Sequence, residues 1–255
     1  MKRIYYILCL IYLSQGVFAQ EQVILPKGFA PGEELMMDTY LQQVSNPFEQ
    51  STSITTPPGL PVRTAAQWEE VQALVITWTG FPAILREIVR AAQTECKVII
   101  HCSDSNAVKT NLTNYGIPLT NVMFIKVAFN SIWIRDYGAN TCYLNDVDSL
   151  ILVDWMYNRP RPADDLVPVA YADLLGIPLF QTYSVPNNLM NTGGNWMTDG
   201  LGTAFASKLV LDENDGNGSF SLSYPNHTES EIDQIIQAYH GVNRYIKMEV
   251  LPYDG

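Results

Sequence analysis

From Trp68 onward, short apolar runs alternate with stretches of helical spacing, and that alternation restricts the chain to an α/β architecture. Val71 to Trp78 reads as a strand, and Phe81 to Thr94 as a helix with Ile84, Leu85, Ile88, Val89 and Ala92 on its apolar face. Strand Val98 to Cys102 follows, then a helix from Ser105, read as its N-cap, to Tyr115, stopped by Gly116. After strand Val122 to Ala128 the pattern changes to paired strands, Asn140 to Leu144 and Leu150 to Trp155, across a turn at Asn145 to Ser149. A helix from Asp164 to Leu175, a strand Leu179 to Val185, and a hairpin pairing Asn195 to Thr198 with Thr203 to Leu211 come next. Helix Glu229 to Tyr239 and strand Tyr245 to Leu251 complete the pattern. The hairpins argue against a simple doubly wound sheet and suit a repeated strand–helix module, although no repeat is visible residue by residue. An apolar strand this close to Gly255 has an unprotected edge, as expected of a piece of a longer domain.

Lys2-Arg3, the apolar run Ile4 to Leu13 and the small-residue pattern Val17-Phe18-Ala19 have the form of a cleavable signal peptide over residues 1–19. The expected localisation is secreted or periplasmic. The apolar run is too short to span a bilayer, and no later run is long enough. Residues 20–62, rich in Gln, Ser, Thr and Pro, read as an irregular arm or linker, which leaves 63–255 as the folded domain. A net charge of −11 with scattered acids argues against a nucleic-acid surface. Beyond the signal, Cys96, Cys102 and Cys142 remain. Cys96 and Cys102 flank a strand and stand roughly 20 Å apart, too far for a disulfide.

Three polar clusters carry the candidate chemistry. Trp133-Ile134-Arg135-Asp136-Tyr137-Gly138 ends an apolar run, where the Asp136 carboxylate could hold a guanidinium through two parallel hydrogen bonds, pair with Arg135, or cap a helix. Trp133 is either a wall for an aliphatic stem or a core side chain. In Asn158-Arg159-Pro160-Arg161-Pro162 the prolines restrict the backbone, so Arg159 and Arg161 form either a pre-organised anion site or a solvated loop. The glycines of Thr192-Gly193-Gly194-Asn195-Trp196-Met197-Thr198-Asp199-Gly200 allow close backbone approach. Together they suggest a ligand bearing both a cation and an anion. Asp212 to Gly218 lacks the spacing of a calcium loop, and His101, His227 and His240 have no partner at a recognisable spacing.

These ordered motifs resemble the agmatine deiminase and Porphyromonas-type peptidylarginine deiminase family from about residue 60 to the last residue. Thr192, and the run Tyr157 to Pro162, resemble the peptidylarginine branch more than the agmatine branch. The resemblance implies a pseudo-fivefold α/β propeller, a pentein-like fold, of which this sequence covers roughly the first three blades. It also implies hydrolysis of a guanidinium to a ureido group and ammonia: a Cys thiolate attacks, a His shuttles protons, and two carboxylates hold the cation. No cofactor is implied. On that resemblance Asp136 is one of the carboxylates, Trp133 walls the substrate channel, and Arg159 and Arg161 bind a carboxylate, with Asp199 a further substrate-binding candidate. The expected ligand is an arginine-containing peptide or a small guanidino compound. The family's His-x-Asp motif and nucleophilic Cys find no match up to Gly255, and Cys142 does not match the nucleophile position. These 255 residues are therefore expected to be inactive by themselves. Agmatine as substrate, and a non-catalytic extracellular arginine- or peptide-binding module, are the alternatives.

Overall fold

The stretch 20–62 carries more regular structure than its composition predicts. The computed structural model describes residues 24–44, 53–216 and 225–250; within the arm it has helix α1 (Met37–Val44) and strand β1 (Ser53–Ile54), with β2 (Val62–Thr64) at its end. Met37, Tyr40 and Leu41 lie three and four residues apart, so α1 has one apolar face, buried against Met156, Tyr183 and Met190. The expected signal peptide and Leu251, at the end of the expected last strand, fall outside the described residues.

Strand β3 (Ala73–Thr77), helix α2 (Pro82–Ala92), strand β4 (Lys97–Cys102), helix α3 (Ser105–Asn114) and strand β5 (Val122–Lys126) build the first sheet, with β4 central and both pairings parallel. Val98, Ile99 and Ile100 are wholly buried, which is why this run is continuously apolar rather than alternating. The cap of α3 is Asp104 rather than Ser105, because the Asp104 carboxylate accepts from the amides of both Asn106 (2.8 Å) and Ala107 (3.2 Å).

A single helical turn, α4 (Ile134–Tyr137), leads into the second sheet. There β6 (Asn140–Leu144) pairs antiparallel with β7 (Ser149–Tyr157), and helices α5 (Pro162–Asp165) and α6 (Val167–Leu175) return the chain to β8 (Leu179–Thr182), parallel to β7. The single helix expected over Asp164–Leu175 is broken because Pro168 has no N–H to bond four residues back. Strands β1, β2 and β9 (Met190–Asn191) extend this sheet to six strands.

The third sheet pairs β10 (Met197–Thr198) antiparallel with β11 (Thr203–Ser207). The chain then passes through α7 (Leu209–Asp212) and α8 (Glu229–His240) to β12 (Arg244–Met248), parallel to β11. The strand expected to reach Leu211 stops at Ser207, whose hydroxyl accepts from the Leu209 amide and turns the chain into α7. Helix α8 begins in a reciprocal cap between Thr228 and Glu231 and buries Ile232, Ile235, Ile236 and Tyr239 against Val153, Trp155 and Ala204. Each such isoleucine contributes about 1.5–3 kcal/mol of apolar burial, and this cluster joins the second and third sheets. Both of those sheets follow one order, antiparallel pair, helix, parallel strand, so the module repeats in topology without repeating in sequence. Among the described residues the sheets remain open and form no closed ring.

Candidate functional site

The turn α4 is fixed from three directions. Asp164 accepts hydrogen bonds from the amides of Asn130 (2.7 Å) and Ser131 (2.9 Å) and from the Ser131 hydroxyl (2.7 Å), pinning the loop that leads into it. Burial raises Asp164 to about 6 in spite of these donors. The Tyr137 hydroxyl lies 2.7 Å from Thr77 Oγ1 at the end of β3 and donates to the Ser131 carbonyl (3.1 Å). Arg135 donates from Nε to the Gly193 carbonyl (3.0 Å) and from Nη2 to that of Trp196 (3.2 Å). Its guanidinium is thus committed to the Gly-Gly turn and is not the partner of Asp136.

That turn approaches α4 so closely that only glycine fits. A Cβ on Gly193 would stand 2.0 Å from the Arg135 carbonyl oxygen, and one on Gly194 would stand 2.3 Å from Asp136 Oδ1. Asp136 is 3% exposed, and no hydrogen bond among the described residues engages its carboxylate. Gly194 itself is exposed, so the carboxylate is reached from solvent past a residue without a side chain.

Trp133, Arg159 and Arg161 each bond to one segment, residues 25–33. Trp133 is half-buried, and its indole N–H donates to the Leu25 carbonyl (2.9 Å). Arg159 donates from Nε to the Lys27 carbonyl (3.2 Å) and stacks its guanidinium 4.4 Å from the Phe29 ring centre. Arg161 is 1% exposed and forks onto Glu33, with Nε to Oε1 at 2.8 Å and Nη2 to Oε2 at 2.9 Å. Nη2 also meets the carbonyls of Pro26 and Gly28, both at 2.9 Å. Burial raises Glu33, but the Arg161 hydrogen bond, the Ala30 amide and the charges of Arg161 and Arg159 together outweigh it and hold the carboxyl below its usual value. The two arginines therefore do not form the solvated loop open at the sequence level, and they have different roles.

Asp199 is not part of this group. Its Oδ1 accepts from the amides of Leu201 (2.7 Å) and Thr203 (2.9 Å), chiefly the latter lowering its pKa, and the carboxylate stabilises the turn between β10 and β11. Cys142 Sγ lies 3.9 Å from His240 Nδ1, superficially a thiol–imidazole pair. Burial pushes this thiol up to about 12 and this imidazole down to about 3, the reverse of a thiolate–imidazolium couple. Both belong to the core beside Trp155 and Trp196. A cavity of about 500 Å³ is lined by Val71, Leu74, Ile134, Arg135, Tyr171 and Gly193, and none of Trp133, Asp136, Arg159 or Arg161 lines it.

Glu213 is a site neighbour that sequence reading missed. It is half-buried, accepts from Asn158 Nδ2 (2.8 Å) through Oε1, has no partner for the buried Oε2 among the described residues, and is raised by burial to about 7. A carboxyl raised on folding destabilises increasingly as pH climbs from the unfolded value of 4.5 to about 7, and constantly above. That difference is on the order of 3 kcal/mol. Buried His101 and His240, lowered to about 4 and about 3, act in the opposite sense as pH falls below 6.5. The contribution of Glu213 is therefore read as parent minus variant. Glu213→Gln is expected to gain stability over the parent between pH 5 and 7.5, measured by thermal melts across pH; parallel curves would contradict the assignment.

A model of the Porphyromonas-type peptidyl-arginine deiminase family matches residues 63–251. The chain belongs to this family. Among solved structures, a C. jejuni agmatine deiminase aligns with a TM-score of 0.58 at 21% identity, covering 80% of this chain and 58% of that one. The same enzyme with substrate bound aligns at 0.58 and 19%, with coverages of 80% and 58%. A Porphyromonas gingivalis protein provisionally described as an arginine deiminase aligns at 0.60 and 16%, with coverages of 74% and 57%. At these identities the likeness establishes the shared α/β fold. The chain spans less than two thirds of the length of these structures.

Proposed function

We propose that the chain carries the guanidinium-positioning part of a deiminase that converts arginine, at the C-terminus of a peptide, to citrulline and ammonia. The observation that carries this reading is the Asp136 carboxylate, buried beside exposed Gly194 and without a hydrogen bond among the described residues. Asp136 holds the planar cation and Trp133 packs on its aliphatic stem; Arg159 and Arg161 stand where a carboxylate would be held. The fork that Arg161 makes on Glu33 supports a carboxylate-bearing ligand over agmatine, which has none. By family resemblance the three sheets are blades of a fivefold ring and a thiolate elsewhere in the ring attacks the guanidinium carbon; the signal-like run over residues 1–19 supports export. Among the described residues no thiol is placed against Asp136. These 255 residues are accordingly expected to bind arginine without releasing citrulline. The test is calorimetric titration with a peptide ending in arginine and with agmatine. The peptide is expected to bind at least about tenfold more tightly, because a charge-assisted fork contributes about 1.5–3 kcal/mol. Equal or stronger binding of agmatine would overturn the assignment of substrate class.

A further inference from the structure

Trp133, Arg159 and Arg161 of the proposed site are all engaged by one segment of the chain. Between Leu25 and Gly28, four successive carbonyls accept from the site: Leu25 from Trp133, Pro26 and Gly28 from Arg161, and Lys27 from Arg159. Phe29 lies under the Arg159 guanidinium, and the Glu33 carboxylate occupies the Arg161 fork. Lys27 Nζ lies 3.3 Å from the point where a Gly194 Cβ would stand, the same point from which Asp136 Oδ1 is 2.3 Å away. A cation therefore stands at the mouth of the Asp136 carboxylate while an anion fills the arginine fork.

We propose that residues 25–33 act as a built-in pseudosubstrate: Lys27 stands in for the guanidinium and Glu33 for the substrate carboxylate, so the segment must leave before an outside ligand binds. The proposal rests on the guanidinium reading of Asp136 given above. Lysine suits the role chemically. Its ammonium matches the charge that Asp136 attracts, yet it has no amidine carbon for a nucleophile to attack, so the occupant cannot be consumed. The segment also follows directly on the expected signal peptide and precedes α1, whose buried Met37, Tyr40 and Leu41 anchor it to the second sheet. Tethering so close to the site gives it an effective concentration of about a millimolar, enough for weak contacts to compete with a free ligand.

The test compares the full chain, Lys27→Ala, and Lys27→Ala/Glu33→Gln by calorimetry, using a peptide ending in arginine and a synthetic copy of residues 24–34 as probes. Lys27 is exposed, so Lys27→Ala is free of the folding risk carried by changing a partner of buried Arg161. The expected result is that Lys27→Ala binds the arginine peptide more tightly than the parent, and the double variant about tenfold more tightly, as the fraction of open sites rises. The synthetic segment is expected to bind the double variant and not the parent. If the arginine peptide binds all three proteins with one affinity, the guanidinium reading stands and the pseudosubstrate is overturned. If it binds none of them while the synthetic segment still binds the double variant alone, the occupancy stands and the guanidinium reading falls.

Discussion

Asp136→Asn is expected to weaken binding of a peptide ending in arginine by about thirtyfold or more, the lower end of the 2–5 kcal/mol typical for truncating one partner of a buried charge pair. The substitution preserves shape and removes only charge and one acceptor. Because no hydrogen bond among the described residues engages that carboxylate, the fold has little to lose, and thermal stability should stay within about 0.5 kcal/mol of the parent. The two readouts separate a ligand-holding carboxylate from a structural one. A drop in melting temperature with unchanged affinity would mean that Asp136 serves the scaffold.

The second large effect concerns the joint between sheets. Gly241 ends α8 with φ at +69°, and a Cβ there would stand 1.7 Å from the carbonyl oxygen of Val62 in β2. Neither backbone can yield, since Thr64 Oγ1 also binds the His240 carbonyl (2.6 Å) and β2 is held in register against β6. Gly241→Ala is expected to cost about 4 kcal/mol or more, placing it in the exceptional tail of single substitutions. In a chain of this length the melting temperature should fall by roughly 10 °C. Gly176→Ala is the matching control. Gly176 has φ of +65° at the end of α6, but its Cβ would meet nothing within 4 Å, so only the left-handed backbone term of about 1 kcal/mol applies. Similar losses at both positions would show that the Val62 contact is not the cause.

Much of this was legible in the sequence where the signal is local. The continuous apolar run Val98–Ile100, the i, i+4 pair Leu85 and Val89, and the Gly-Gly turn beside Trp196 each follow from a few neighbouring residues, and the structure places them accordingly. The capping role of Asp199 was not legible, because an Asp two residues before a turn amide is a local capping device as readily as a ligand group. Helix α1 escaped notice because its apolar face has only three buried positions in an eight-residue helix amid polar sequence. The partner of Arg161 was beyond reach for a different reason. Glu33 lies 128 residues away, and nothing in Asn158-Arg159-Pro160-Arg161-Pro162 specifies which carboxylate it meets. Nor could composition show that Arg135 holds the Gly-Gly turn rather than pairing with Asp136.

Selection of a guanidinium cation rests on the Asp136 carboxylate beside the Gly193-Gly194 turn. The most direct measurement is the affinity of the chain for two peptides identical except for the last residue, arginine in one and citrulline in the other. Citrulline keeps the length and planarity but removes the charge, so Asp136 loses its charge-assisted pair. The arginine peptide is expected to bind at least about tenfold more tightly, even with the resident segment lowering both affinities alike. Equal affinities would mean that Asp136 does not hold a guanidinium.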